Sequence, residues 1–362
     1  MADKIILKNA LIANEIKDVE IEDGKIVFIG KSVSDGEIID IDGKILMPGL
    51  IDVHSHGCLG FDTSTDDELD KMARFMKENG TTAWLPTTMT VPFDDLRRVA
   101  NIPLPKRCRE KAHIFGFHLE GPYICAKYKG AQNESYIVKP NIDELASVEN
   151  VKMVTVAPEV EGAIELISHF TSDKVENKLV FALGHTEGTF DICEKAFKAG
   201  AKCLTHTFNA MPPMLHREPG PIGAALVTGG YAQLISDGIH VHPAAVMALY
   251  KMFGPERTVL ISDSMAPTGF RDGEYMIGGL NITVREGVAR IDNGALAGST
   301  STLFHCVKKA IEFGIPKEDA FRMASQTPAE LMGIKKGKIE VGYDADFIVL
   351  DEELNLIDTL VL

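Results

Sequence analysis

Four histidines and two carboxylates in this sequence suit a divalent metal: His54, His56, His185 and His206, with Glu120 and Asp263. Imidazole and carboxylate are ligands of Zn2+ and of non-haem Fe2+. His54 and His56 are two positions apart, so on a strand their side chains face the same way. A catalytic cation keeps one position open and lowers the pKa of water there towards ~7. A carboxylate at the rim then passes the proton to a leaving group, and Asp263 is the candidate for that role. The chemistry implied is hydrolysis.

Each of these residues also has an ordinary reading. A single histidine is more often a core or surface residue, and His113, His169 and His305 are read that way. An aspartate after a strand commonly caps a helix. A glutamate before Gly121-Pro122 can simply open a turn. Cys58, close to the histidine pair, reads as a small packed residue rather than a ligand. What the ordinary readings do not give is the shared position of the six, each at the end of a short apolar run.

Eight such runs follow one another: Gly49 to Val53, Thr82 to Pro86, Ile114 to Leu119, Val151 to Val156, Leu179 to Leu183, Ala201 to Leu204, Tyr231 to Ile235 and Thr258 to Ile261. Helical stretches separate them, among them Asp66 to Glu78, Phe190 to Ala199 and Pro243 to Phe253. Alternating strand and helix predicts a parallel sheet with helices outside. Eight units over roughly 270 residues fit an α/β fold of the (β/α)8 TIM-barrel type. In that fold the C-terminal strand ends converge on one face, which would gather the six side chains. An open doubly wound sheet is the alternative, but neither GxGxxG nor GxxxxGK[ST] is present.

Both ends of the chain have a different rhythm. Ile5 to Leu7, Val19 to Ile21, Ile26 to Ile29 and Glu37 to Ile41 are short β-type runs, punctuated by Asp23-Gly24, Asp35-Gly36 and Asp42-Gly43. Such pairs supply the positive φ of tight hairpins. Gly337 to Gly342 and Ala345 to Leu350 return to this style. The expected organisation is a small β-sandwich domain built from residues 1–47 and 335–362 around a barrel over 48–334.

The 362 residues include 45% hydrophobic and 25% charged ones, as in a soluble globular protein. Net charge is −15 and there is no basic stripe, so a nucleic-acid partner is not expected. The short cluster Lys106-Arg107-Cys108-Arg109 reads as a solvated loop. No apolar run approaches the ~20 residues of a membrane span, and no signal peptide is read at the N-terminus. Six scattered cysteines without a CxxC pair read as reduced, so the expected compartment is the cytoplasm.

Specific motifs carry a resemblance. Pro48-Gly49-Leu50-Ile51-Asp52-Val53-His54-Ser55-His56-Gly57 resembles the first-strand signature of the amidohydrolase superfamily. His118-Leu119-Glu120-Gly121-Pro122-Tyr123, Gly184-His185-Thr186, His206 to Met211 and Arg217-Glu218-Pro219-Gly220 narrow it. Ser236 to His240, Ser262 to Met265 and Leu296 to Thr300 complete a series that is similar to the N-acetylglucosamine-6-phosphate deacetylase family and spans nearly the whole chain.

The resemblance implies removal of the N-acetyl group from an amino-sugar 6-phosphate, giving acetate and the free amine. It implies one or two divalent metals, Zn2+ or Fe2+, with Glu120, His185 and His206 around the principal ion and His54 and His56 around a second. It implies Asp263 as acid and base, with substrate contacts at Ala131, Asn209, Ala210, Arg217, Asp237, His240, Leu296, Ala297 and Gly298, and His118 as a candidate oxyanion donor. It implies a homodimer in which a phosphate ligand comes from the neighbouring chain. Arg217 suits phosphate through its bidentate fork. The chain departs from the family where Gln132 replaces a frequent histidine and where Ser264 follows Asp263. The alternatives are the galactosamine epimer, another amidohydrolase such as a dihydroorotase, or an inactive sugar-phosphate-binding barrel. Glu120 stands where many dihydroorotase-type members use a carbamylated lysine, which argues against that reading.

Overall fold

The computed structural model describes residues 4–292 and 294–362. Eight parallel barrel strands are β1 (Leu50–Ser55), β2 (Thr81–Thr88), β3 (Phe117–Glu120), β4 (Val151–Val156), β5 (Val180–Leu183), β6 (Cys203–Leu204), β7 (Tyr231–Leu234) and β8 (Thr258–Leu260). Each pairs with the next. The amide of Asp263 donates to the His54 carbonyl at 2.9 Å and joins the two ends of the series. The third run is divided: His113–Ile114 pairs with β2 by itself, ahead of β3.

Barrel strands are covered on both faces, which is why they read as apolar runs rather than as alternating ones. The alternation survives in the packing. Ile51, Val53, Ala83, Leu85, Met153, Ala182, Cys203 and Val259 form one cluster inside the barrel. Leu50, Trp84, Val154, Phe181, Leu204 and Leu260 face outwards, in a cluster with residues of the helices Leu69–Glu78, Phe190–Lys198 and Pro243–Phe253.

Strict alternation would turn His54 outwards with Leu50, since Ile51 and Val53 face in. The register slips between Asp52 and Ser55, where three steps along β1 match two along β2 from Trp84 to Pro86. Such a bulge re-aims the side chains beyond it, and it brings His54 and His56 to the inner face.

The terminal strands share one sheet. Lys4–Ile12, Glu15–Glu22, Lys25–Gly30, Glu37–Asp40 and Ile45–Pro48 join Asp346–Leu350 and Leu356–Val361. Lys4–Ile12 pairs with Glu37–Asp40 through Ile5 to Lys8 and with Ile45–Pro48 through Leu11, so the sheet forks. Its leaves enclose Leu7, Val19, Ile21, Ile26, Leu46 and Phe347. Asp23-Gly24 and Asp42-Gly43 both have positive φ at each residue, but of the two only Asp23-Gly24 closes a hairpin; Asp42-Gly43 joins two strands that both run parallel to Lys4–Ile12.

Three further expectations change. Asp35-Gly36 is not a hairpin, because the segment crosses to a strand parallel to the first. Gly337 to Gly342 forms turns rather than a strand. A three-stranded sheet, Gly273–Ile277, Leu280–Arg285 and Val288–Ile291, follows β8 and has no counterpart in the sequence reading.

The basic cluster is a fastener rather than a solvated loop. Arg107 bonds Asp346 at 2.7 Å and the Gly24 carbonyl at 3.2 Å, and Arg109 grips both oxygens of Glu37. Buried Lys336 reaches Asp344 at 2.7 Å and Asp346 at 2.6 Å. Burial pushes the Asp344 carboxyl up, but Lys336 and its neighbours outweigh that and hold it below its ordinary value. Lys336→Met should cost about 3 kcal/mol in urea unfolding, because the carboxylates lose their buried partner. A depressed carboxyl stabilises above its ordinary pKa and loses that contribution as pH falls through its depressed one. The variant's stability should therefore fall less steeply on the acid side than the wild type's.

Candidate metal centre

All six residues meet at the mouth of the barrel. His54 lies in β1 and His56 just beyond it; Glu120 ends β3; His185, His206 and Asp263 follow β5, β6 and β8. Glu120 is the hub. Its Oε1 lies 2.9 Å from His206 Nε2 and 3.2 Å from the Nε2 atoms of His185 and His54, and its Oε2 lies 3.2 Å from His56 Nε2. Asp263 Oδ1 stands 3.4 Å from His54 Nε2 and 3.3 Å from His56 Nε2. The donor atoms form two groups, His54 with His56 and Asp263, and Glu120 with His185 and His206.

The outer nitrogens decide what the inner ones can do. His56 Nδ1 faces the Thr87 carbonyl at 3.1 Å, and His185 Nδ1 faces the Tyr128 carbonyl at 2.9 Å. A carbonyl only accepts, so each Nδ1 carries its proton and each Nε2 turns a lone pair inwards. These lone pairs converge on one another and on two carboxylates. A buried set of acceptors without a donor is costly unless a cation or protons sit among them. The centre therefore fits a divalent metal by the chemistry of its own donors.

Protonation shows the same pull. Burial alone would lower His54 and His56, but Glu120 and Asp263 outweigh it, raising His54 and pushing His56 up to about 10. Burial would raise Glu120 and Asp263, and the surrounding imidazoles reverse that, holding both below the usual carboxylate range. His206 is lowered, chiefly by burial.

The backbone is bent to serve this cluster. His185, His206 and Asp263 have φ of 45°, 25° and 49°. Positive φ is uncommon outside glycine and gathers at functional sites. Gly184 lets β5 approach β6 before this turn, since a Cβ there would lie 2.5 Å from Thr205 Cβ.

Of the expected substrate contacts, Ala131, Asn209, Ala210, His240, Leu296 and Gly298 line a cavity of about 360 Å³ together with His56, Glu120, His185, His206 and Asp263. Asp237 stands behind His240, bonded to its Nδ1 at 2.7 Å, and His240 Nε2 is buried without a partner. Two residues stand elsewhere. Ala297 is fully buried outside the cavity lining. Arg217 lines an adjoining cavity, which shares Lys127 and Tyr128 with the first.

His118 is not placed as an oxyanion donor. It packs edge-on behind His54 at 4.7 Å, with Nε2 on Thr155 at 2.8 Å and Nδ1 on the Val53 carbonyl at 3.2 Å. Burial carries it well below its ordinary pKa. Gln132 braces the central carboxylate. Its Nε2 donates to Glu120 Oε2 at 2.6 Å, while its Oε1 accepts from the Thr90 amide at 2.6 Å. The sequence reading missed Gln233, whose Oε1 lies 2.9 Å from His54 Nδ1. A polar residue inside the apolar run Tyr231 to Ile235 was the available signal.

Residues 45–361 match the model of the amidohydrolase family. The chain belongs to that family. Among amidohydrolases it is similar to the N-acetylglucosamine-6-phosphate deacetylase of Bacillus subtilis, 34% identical, with 99% of this chain and 96% of the relative covered. It is 36% identical to the N-acetylgalactosamine-6-phosphate deacetylase of Escherichia coli O157:H7, over 88% of this chain and 87% of that one. A solved variant of the Mycobacterium smegmatis N-acetyl-D-glucosamine-6-phosphate deacetylase, in complex with N-acetyl-D-glucosamine-6-phosphate, superposes with a TM-score of 0.86 at 32% identity, covering 99% of this chain and 97% of that one.

Metal entry must displace the protons held by this amidohydrolase centre. Titrating the metal-free protein with Zn2+ by calorimetry, in buffers of different ionisation enthalpy, should show release of about one proton or more per chain near neutral pH. Affinity should rise with pH, since His56 is protonated below about 10 in the absence of metal. An affinity flat between pH 6 and pH 9 would contradict this.

Proposed function

We propose that this chain hydrolyses the N-acetyl group of N-acetylglucosamine 6-phosphate, giving glucosamine 6-phosphate and acetate in amino-sugar breakdown. The observation that carries the reading is Glu120 as a carboxylate shared by four imidazoles, with Asp263 on the rim of the same cavity. Full-length likeness to deacetylases of this substrate supports it.

Glu120, His185 and His206 hold the principal ion, Zn2+ or Fe2+, and His54 and His56 serve a second. The metal supplies Lewis-acid polarisation of the acetyl oxygen and a nucleophile usable at neutral pH. Asp263, kept as a carboxylate, takes a proton from the attacking water and returns it to the sugar nitrogen. A C–O bond forms, the C–N bond breaks, and the water's protons end on acetate and amine. Gln132 fixes Glu120 and leaves the acetyl group to other donors. Asn209, the backbone of Ala131 and Ala210, and the segment Leu296 to Gly298 orient the sugar, with Ala297 supporting from behind.

His240, with Asp237 behind it, offers a buried nitrogen to the phosphate. Arg217 is set apart in the adjoining cavity, beside exposed Met214 and Leu215. That placement supports a homodimer in which the loop serves the neighbouring site. Six free cysteines fit a reducing, cytoplasmic setting, and no helix among the described residues is long and apolar enough to cross a membrane.

The test is acetate release by protein stripped of metal and resupplied with Zn2+ or Fe2+, on N-acetylglucosamine 6-phosphate, its galactosamine epimer and the unphosphorylated sugar. Activity should return with metal and favour the phosphorylated glucosamine. Preference for the epimer would move the assignment to the activity named for the Escherichia coli relative. Asp263→Asn should lower kcat by about 10²- to 10⁴-fold while the ion held by Glu120, His185 and His206 stays bound. Arg217→Ala should raise KM for the phosphorylated substrate by about 10- to 100-fold, as loss of charged hydrogen bonds predicts, and leave the unphosphorylated sugar unaffected.

A further inference from the structure

We infer that Gln233 is a positioning residue: it holds His54 in the one tautomer able to bind a metal, and so builds the second metal group. The inference rests on the two-ion reading above.

Gln233 lies in β7, pairs with Val259 of β8 and is fully buried. Its Oε1 faces two nitrogens, the backbone nitrogen of His206 at 3.3 Å and His54 Nδ1 at 2.9 Å. A backbone N–H only donates, so the atom facing it must be the amide oxygen. This fixes the orientation of the glutamine independently of His54. Facing an acceptor, His54 Nδ1 carries the proton, and Nε2 is left with its lone pair. That lone pair stands 3.2 Å from His56 Nε2 and 3.4 Å from Asp263 Oδ1, within the proposed second group.

Of the other three histidines, His206 has no partner on Nδ1 among the described residues, and two need no such help. His56 and His185 take their orientation from backbone carbonyls, which any sequence would supply. For His54 the same role falls to a side chain, and a substitution can remove it. Among the described residues the side-chain NH2 of Gln233 faces Met153 Sδ at 3.8 Å and no oxygen or nitrogen acceptor. The Gln233 carbonyl also accepts from the Thr207 amide at 2.8 Å. One residue thereby ties the His54 ring to the backbone that carries His206. Partners of this kind are worth about 10- to 100-fold in metal affinity.

The experiment compares wild type, Gln233→Leu, Gln233→Glu and His54→Ala as full chains. Zn2+ per chain is measured by mass spectrometry, and each Kd by chelator competition. Gln233→Leu should weaken one of two ions by about 10- to 100-fold and spare the other, matching the ion lost in His54→Ala. Gln233→Glu keeps an acceptor for both N–H groups and should restore binding. Should the leucine variant not fold, Gln233→Met, closer in shape, takes its place. A folded leucine or methionine variant with both Kd values unchanged overturns the inference. If wild type and His54→Ala hold the same number of ions, the two-ion reading fails instead. Long-range spectra of zinc-loaded, 15N-histidine-labelled protein then decide. A proton leaving His54 Nδ1 in the leucine variant supports the role of Gln233, and its staying there overturns it.

Discussion

Lone pairs that face lone pairs in a dry site repel one another, and this molecule assembles such a set at its centre. In neutral imidazoles the Nε2 lone pairs of His56 and His185 face the Glu120 carboxylate at 3.2 Å, because their outer nitrogens carry the protons. Only positive charge makes the arrangement favourable. Without a metal the centre recruits protons, as the rise of His56 to about 10 shows. Metal and proton compete for the same ground, and everything around the barrel mouth serves to keep that ground from collapsing.

Three kinds of support do this. Backbone carbonyls of Thr87 and Tyr128 set two imidazoles from behind. Two glutamines, Gln132 on Glu120 and Gln233 on His54, set two more ligands with neutral amides, whose own orientation is locked by backbone amides at Thr90 and His206. Neutral partners add orientation without adding charge to a buried cluster that already holds two carboxylates. The third support is the backbone itself, turned through positive φ at His185, His206 and Asp263 so that consecutive strand ends aim at one point.

The lining of the cavity beside the centre includes the apolar Met89, Met265 and Leu296. The three-stranded sheet after β8 leads into Leu296 to Gly298, and Gly298 is required where it lies. Its φ is 59°, and a Cβ there would stand 2.5 Å from Met265. Far from this mouth, Arg107 ties the barrel to Asp346 of the terminal sheet, and Lys336 pairs with Asp344 and Asp346. The two regions have separate roles, one chemical and one structural.

The sequence by itself determined the barrel, because strands buried on both faces must be apolar runs and helices between them must be amphipathic. It also determined the six ligand candidates, because their types and their common place at run ends leave few other meanings. What the tertiary structure decided is where partners come from. No local pattern shows the bulge between Asp52 and Ser55 that turns His54 inwards, since a bulge is defined by the register against β2. Nor does a pattern separate His118, one residue from a run end like the others but sealed by Thr155 and Val53, from the histidines that reach the cavity. Gln132 and Gln233 act on residues 12 and 179 positions away. Arg107, read locally as part of a solvated loop, pairs with Asp346 across 239 positions. Hydrophobic periodicity is written in neighbouring residues and can be read there, whereas a hydrogen bond between distant strands exists only once the chain has closed on itself.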